Sequence, residues 1–207
     1  MKGLLLKDFY MTIKYGKTLF LVVLVFLAIS CFDDGGSFFL VYPMILAGVL
    51  PMSLISLDER EKWVQYSGTL PYTRAQLVSS KYIIGLLLGV GAFILSMATT
   101  AGRMWMNGYF SLLEFGTMAS LLLVLGLLPP TILLPFVFKF GAEKGRIMFY
   151  VVIGLATAIG TLLAGFGFQM QMQTNEFAIL FVMCTVAVLL YLGSWCLSVA
   201  FYKKREL

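Results

Sequence analysis

Charge is what this chain has least of: Asp, Glu, Lys and Arg together make up 12% of its 207 residues, against 60% hydrophobic. Soluble domains carry about 25% charged residues, so a water-soluble globule is excluded. A disordered chain is excluded on the same ground. Histidine is absent, and the three cysteines, Cys31, Cys184 and Cys196, all lie in apolar runs. That leaves no disulfide framework and no ligand set for zinc. No Gly-x-x-x-x-Gly-Lys-Ser/Thr loop occurs, so the chain cannot itself supply a P-loop ATPase. Nor is there an Asp pair, a metal motif or a Ser–His arrangement for intramembrane catalysis. Catalytic residues and metal ligands are both expected to be none.

What the chain does have is long apolar runs and a mean hydropathy of +0.94. Runs of about 17–25 apolar residues are the signature of membrane-spanning helices. They fall at 18–32, 38–57, 83–100, 115–138, 147–168 and 177–202, which predicts an all-α integral membrane protein with six transmembrane helices. No cleavage site follows the first run, so it reads as a span and not as a signal peptide. It is short, and its helix is expected to start earlier.

The formal charge of +5 could suggest nucleic acid, but in such a chain Lys and Arg report topology. Lys2, Lys7, Lys14 and Lys17 precede the first run, and Arg60, Lys62, Arg74 and Lys81 separate the second and third. Lys139, Lys144 and Arg146 separate the fourth and fifth, and Lys203, Lys204 and Arg205 follow the sixth. Only Arg103 falls on the other side, with Asp33, Asp34, Glu114 and Glu176. By the positive-inside rule both termini are cytoplasmic. The outer loops, 33–37, 101–114 and 169–176, are short, and no soluble domain is expected at either end. Function should concentrate in the largest cytoplasmic segment, 58–82.

Within that segment, residues 58–66 contain no helix breaker and read as a short helix. Trp63 and Tyr66 would share a face, joined by Glu59 four residues before Trp63. Gly68 and Pro71 end it, and Thr73 is placed to cap a second helix that runs through Lys81 into the third span. The exposed Trp/Tyr tip suits a docking element for a cytosolic partner. A juxtamembrane connector with interfacial aromatics fits the spacing equally well. Residues 1–17 predict an interfacial amphipathic helix, with Leu5, Leu6, Phe9 and Ile13 on one side and Lys7 and Lys14 facing headgroups on the other.

The span cores hold no ionisable residue, which argues against proton or sodium coupling. Gly85, Gly89, Ala92 and Ser96 line one face of the third span for close helix approach. Pro129, Pro130 and Pro135 should kink the fourth and free carbonyls, giving a packing or hinge element with Gly85 and Gly89. Gly154, Gly160, Gly165 and Gly167 thin the fifth, and 169–173 (Gln-Met-Gln-Met-Gln) form a polar outer cap.

Three segments together resemble the membrane-spanning permeases of prokaryotic type 2 ABC exporters. They are Leu4-Leu-Leu-Lys-Asp-Phe; Asp58-Glu-Arg-Glu-Lys-Trp with Thr69-Leu-Pro-Tyr-Thr-Arg and Ser80-Lys-Tyr; and Leu134-Pro-Phe-Val-Phe-Lys-Phe-Gly-Ala-Glu-Lys-Gly-Arg. Among these permeases the chain looks most like those of the phenol-soluble modulin exporters, whose cargo is short amphipathic peptides. The resemblance implies one permease domain over 1–207, with 58–82 as a coupling loop whose helix docks on a separate ATPase subunit. By position, Glu59, Glu61, Lys62, Trp63, Tyr66 and Ser67 become the contacts with that subunit. It also implies two permease copies with two ATPases in the prokaryotic cell membrane, ATP and magnesium on the partner, and no cofactor on this chain. Larger members of the wider fold carry re-entrant helices between the fifth and sixth spans, for which 169–176 leaves little room. The alternative is a non-transporting immunity or sensor protein that binds a toxic peptide.

Overall fold

A computed structural model of the chain describes residues 2–32, 37–67, 69–108, 110–165 and 176–204. All regular structure among them is helical: α1 (Lys2–Phe32), α2 (Ser37–Arg60), α3 (Trp63–Ser67), α4 (Arg74–Met106), α5 (Leu112–Phe140), α6 (Ala142–Gly165) and α7 (Glu176–Lys204). Five of the described helices, α1, α2, α4, α5 and α7, are long and apolar enough to cross a membrane.

The interfacial helix expected at 1–17 and the span expected at 18–32 are one helix. α1 runs without a break for 31 residues, about 46 Å at the rise of an α-helix. Of the apolar side of the wheel Leu6, Phe9 and Ile13 are exposed and Leu5 is half-buried, and Lys14 stays outside beside Tyr15. Lys7 does not, because its side of the helix is covered by α2 and α4.

α5 occupies the centre, packed against α2, α4, α6 and α7, while α1 lies on α2 and α4 at the edge. Its three prolines sit inside a continuous helix of 29 residues. A proline cannot donate to the carbonyl four residues back, which deprives Leu125, Gly126 and Thr131 of their helical donors. Two of these carbonyls meet other helices. Ser194 Oγ of α7 donates to Thr131 O at 2.7 Å. Gly48 of α2 closes on Gly126 O so tightly that a Cβ there would stand 2.9 Å from it. Buried Pro129 and Pro130 form the rest of that wall.

Gly85 of α4 lies against Pro51 of α2, with 2.6 Å left for a Cβ. Ala92 and Ser96 are buried further along the same face, but a Cβ at Gly89 would meet no neighbouring helix within 4 Å. Gly154 is likewise open. The residue range 166–175, which includes Gly167 and the glutamine-methionine cap, lies outside the described residues, as do Asp33, Asp34 and Gly68.

The apolar core has two centres. One gathers Met52, Ile55, Val78, Leu134, Val137 and Tyr202 at the end of the bundle that carries Lys2 and Lys204. The other gathers Leu27, Leu40, Met44, Ala92 and Leu122 towards the opposite end.

Candidate functional site

The connection between α2 and α4 begins with a change of direction that the sequence does not announce. α2 ends at Arg60, Glu61 N donates to Leu57 O, and Lys62 takes φ +53°. A non-glycine residue in the left-handed region costs about 1–2 kcal/mol. The expected helix over 58–66 is therefore two pieces, the last turn of α2 and the separate α3. Trp63 and Tyr66 do share a face of α3, with ring centroids 5.5 Å apart. Glu59 stays on α2 and turns elsewhere. Thr73 caps α4 as expected: its side chain accepts from Gln76 N, and the Gln76 side chain accepts from Thr73 N. Such reciprocal capping fixes where a helix starts.

Beneath α3 lies a closed set of four charges from three helices. Lys81 of α4 reaches Asp8 Oδ1 of α1 and Asp58 Oδ2 of α2, both at 2.6 Å. Lys7 of α1 reaches Asp58 Oδ1 at 2.6 Å and stands 3.7 Å from Asp8 Oδ1. Two cations and two anions cancel, which a buried group of charges requires. Asp8 is only 1% exposed, whereas the Lys7 side chain is 23% exposed. The Lys7 ammonium also sits 4.0 Å from the centre of the Trp63 ring. A cavity of about 40 Å³ opens among Leu4, Lys7, Asp58, Trp63 and Lys81, large enough to admit water.

A row of hydroxyls continues from Lys81 along the α4–α7 contact. Tyr82 Oη bonds Ser194 Oγ at 2.8 Å and Ser198 Oγ at 2.7 Å. Tyr191 Oη donates to Tyr82 O, and Trp195 Nε1 donates to Ser79 Oγ. Each polar atom here has a partner inside the protein, as a low-dielectric setting demands.

The flanks of the connection are clipped to the remaining helices. Glu59 Oε2 accepts from Ala142 N, the first residue of α6, at 2.9 Å. A carboxylate at a helix N-terminus meets its unpaired N–H groups and the positive end of its dipole. Arg74 Nη1 donates to Lys203 O at 2.9 Å at the end of α7, the matching arrangement for a cation.

The residues expected to meet a partner thus divide. Glu61, Lys62 and Tyr66 are exposed on the outer side of the connection. Trp63 is half-buried on Lys7, Ser67 is buried, and Glu59 is spent on α6. The sequence reading missed Asp8 and Lys81. Lys81 lies just before the third expected span, between Ser80 and Tyr82, and Asp8 lies beside Lys7 in the expected interfacial helix. Those short polar interruptions of apolar segments were the available signal.

Comparison with curated proteins and with solved structures gave no match. The model of the family described as ABC-2 family transporter protein matches residues 3–203. The matched stretch takes in the four buried charges, α3 and nearly the full length of every long helix. The chain belongs to the ABC-2 transporter family and is a multi-pass membrane permease of that type.

Proposed function

We propose that this permease is the membrane subunit of an ATP-driven exporter that moves amphipathic peptides or similar hydrophobic cargo, with α3 as its coupling helix. The observation that carries the reading is the build of the α2–α4 connection. It presents Glu61, Lys62 and Tyr66 outward on a short helix, while its inner side is tied to α1, α6 and α7. An element free on one side and bonded to most of the bundle on the other suits the entry point for force from a partner.

Family membership implies an ABC ATPase as that partner. Counting α6, with its 24 residues, as the sixth span puts both termini and the Lys/Arg-rich connections on the cytoplasmic face. Two permease copies and two ATPase subunits complete the assembly we envisage, in a prokaryotic plasma membrane. An open furrow of about 170 Å³ between α4, α5 and α7, walled by residues such as Ile83, Leu86, Leu127, Val188 and Trp195, supports a hydrophobic cargo. Apolar clefts favour apolar ligands because no buried polar group is left unpaired.

The test is to tag the full chain, purify it from its native membrane and assay the eluate for ATP hydrolysis. An ATPase subunit should co-purify, and Tyr66→Ala should weaken its retention at least severalfold. Retention unchanged by Tyr66→Ala and by Lys62→Glu would remove α3 from the docking surface.

A further inference from the structure

The four buried charges do more than balance one another, because one of them reaches out of the group. Asp8, Asp58 and Lys81 are nearly fully enclosed, and each helix that supplies them is held by the other two. Lys7 is the member of the group most open to solvent, and its ammonium lies over the face of Trp63 in α3. A cation over an indole ring is attracted by the ring quadrupole, more strongly where water is excluded. Asp58 belongs to the last turn of α2, and the left-handed Lys62 separates that turn from α3. The backbone between α2 and α3 is therefore a bend, and the Lys7–Trp63 contact ties α3 across it to α1.

We propose that Lys7 is the positioning residue that fixes the angle of α3 and passes its movement to α1. When α3 swings away, Trp63 leaves the ammonium and Lys7 loses the cover that keeps it against Asp58. Water enters the adjoining cavity, and the bond between α1 and the end of α2 weakens. Lys81 continues to hold Asp8 and Asp58, so the helices loosen without separating. Among the described residues α1 packs chiefly on α2 and α4 at the edge of the bundle, which leaves it free to follow. The use of this movement in transport rests on the reading of α3 as the coupling helix; the linkage itself does not.

Hydrogen exchange of the full chain in lipid nanodiscs tests it. Lys7→Met keeps an unbranched side chain and removes the cation, and Trp63→Leu keeps an apolar side chain and removes the aromatic face. Each should speed exchange of backbone amides both in residues 6–15 and in residues 61–67, by about threefold to tenfold, the scale of one partly desolvated cation–π contact. The double variant should go no further than the larger single one, and Lys7→Arg should exchange like the parent. Changes confined to the segment that carries the substitution would overturn the proposal. So would effects that multiply in the double variant, or an Arg variant that behaves like Met. The readout needs no partner, so a failure to recover an ATPase would count against the exporter reading and leave this result standing.

Discussion

The two ends of the helical bundle are held by different chemistry. Around α3, buried aspartates and lysines join α1, α2 and α4, and hydroxyls join α4 to α7. At the other end Leu27, Leu40, Met44, Ala47, Met97 and Leu122 meet through apolar surfaces, with Ser96 Oγ reaching Leu40 O at 3.4 Å. In a bilayer these two kinds of contact are not equivalent. Lipid tails are as apolar as leucine, so apolar contact between helices depends on fit alone. A buried ion pair has no acceptable substitute in hydrocarbon, so it dictates which helices meet and in what register. The charged end is thus the fixed point of the fold. The apolar end, where Ser96 to Leu40 O is a single long hydrogen bond among apolar contacts, has less to lose when its spacing changes.

The largest effect should come from breaking the fixed point. Lys81→Met leaves Asp8 without its closest partner and should cost about 3–5 kcal/mol, as loss of one member of a buried pair does. Thermal unfolding in detergent would register this. Adding Asp8→Asn should recover most of the loss, because the uncompensated anion is then gone. If the double variant is as unstable as the single, charge balance is not what holds that end.

A smaller effect should follow from spoiling fit. Gly48→Ala puts a methyl group 2.9 Å from both Gly126 O and Pro130 Cδ, and overpacking of that kind costs about 1–3 kcal/mol. Gly89→Ala meets nothing within 4 Å and should stay within about 0.5 kcal/mol of the parent. Equal losses at the two glycines would show that close α2–α5 contact is not what stabilises the middle of the bundle.

The smallest effect belongs to the hydroxyl row. Ser194→Ala removes the donor to Thr131 O and one partner of Tyr82. Interhelical hydrogen bonds in membranes average about 0.6 kcal/mol, with a ceiling of about 1.7. A shift in unfolding midpoint above that range would mean that the row behaves as a cooperative network rather than as separate bonds.

How much of this could be read from the chain varies from residue to residue. The start of α4 was readable because Thr73 and Gln76 form a capping box within four residues, and local bonds are encoded locally. The pairing of Trp63 with Tyr66 was readable for the same reason. Glu59 was misplaced on that face because helical spacing assumes an unbroken helix, and nothing in Glu61-Lys62 announces a left-handed residue. Lys7 was assigned to headgroups because a helical wheel knows only its own helix. The wheel cannot see that α2 and α4 cover that side. Of the glycines on α4, spacing offered Gly85 and Gly89 alike. Only Gly85 faces Pro51, since contact depends on where the neighbouring helix passes.

The sequence by itself determined that this is a helical membrane protein, where its long helices fall, and that its basic residues gather in the same few connections. Those properties follow from the cost of unpaired backbone groups and of charge in hydrocarbon, which act on each segment separately. Only the tertiary structure decided that Lys7, Asp8, Asp58 and Lys81 form one group under Trp63. Asp8 and Lys81 lie 73 residues apart in the chain. Their encounter depends on three helices crossing at one point, and no single segment carries that information.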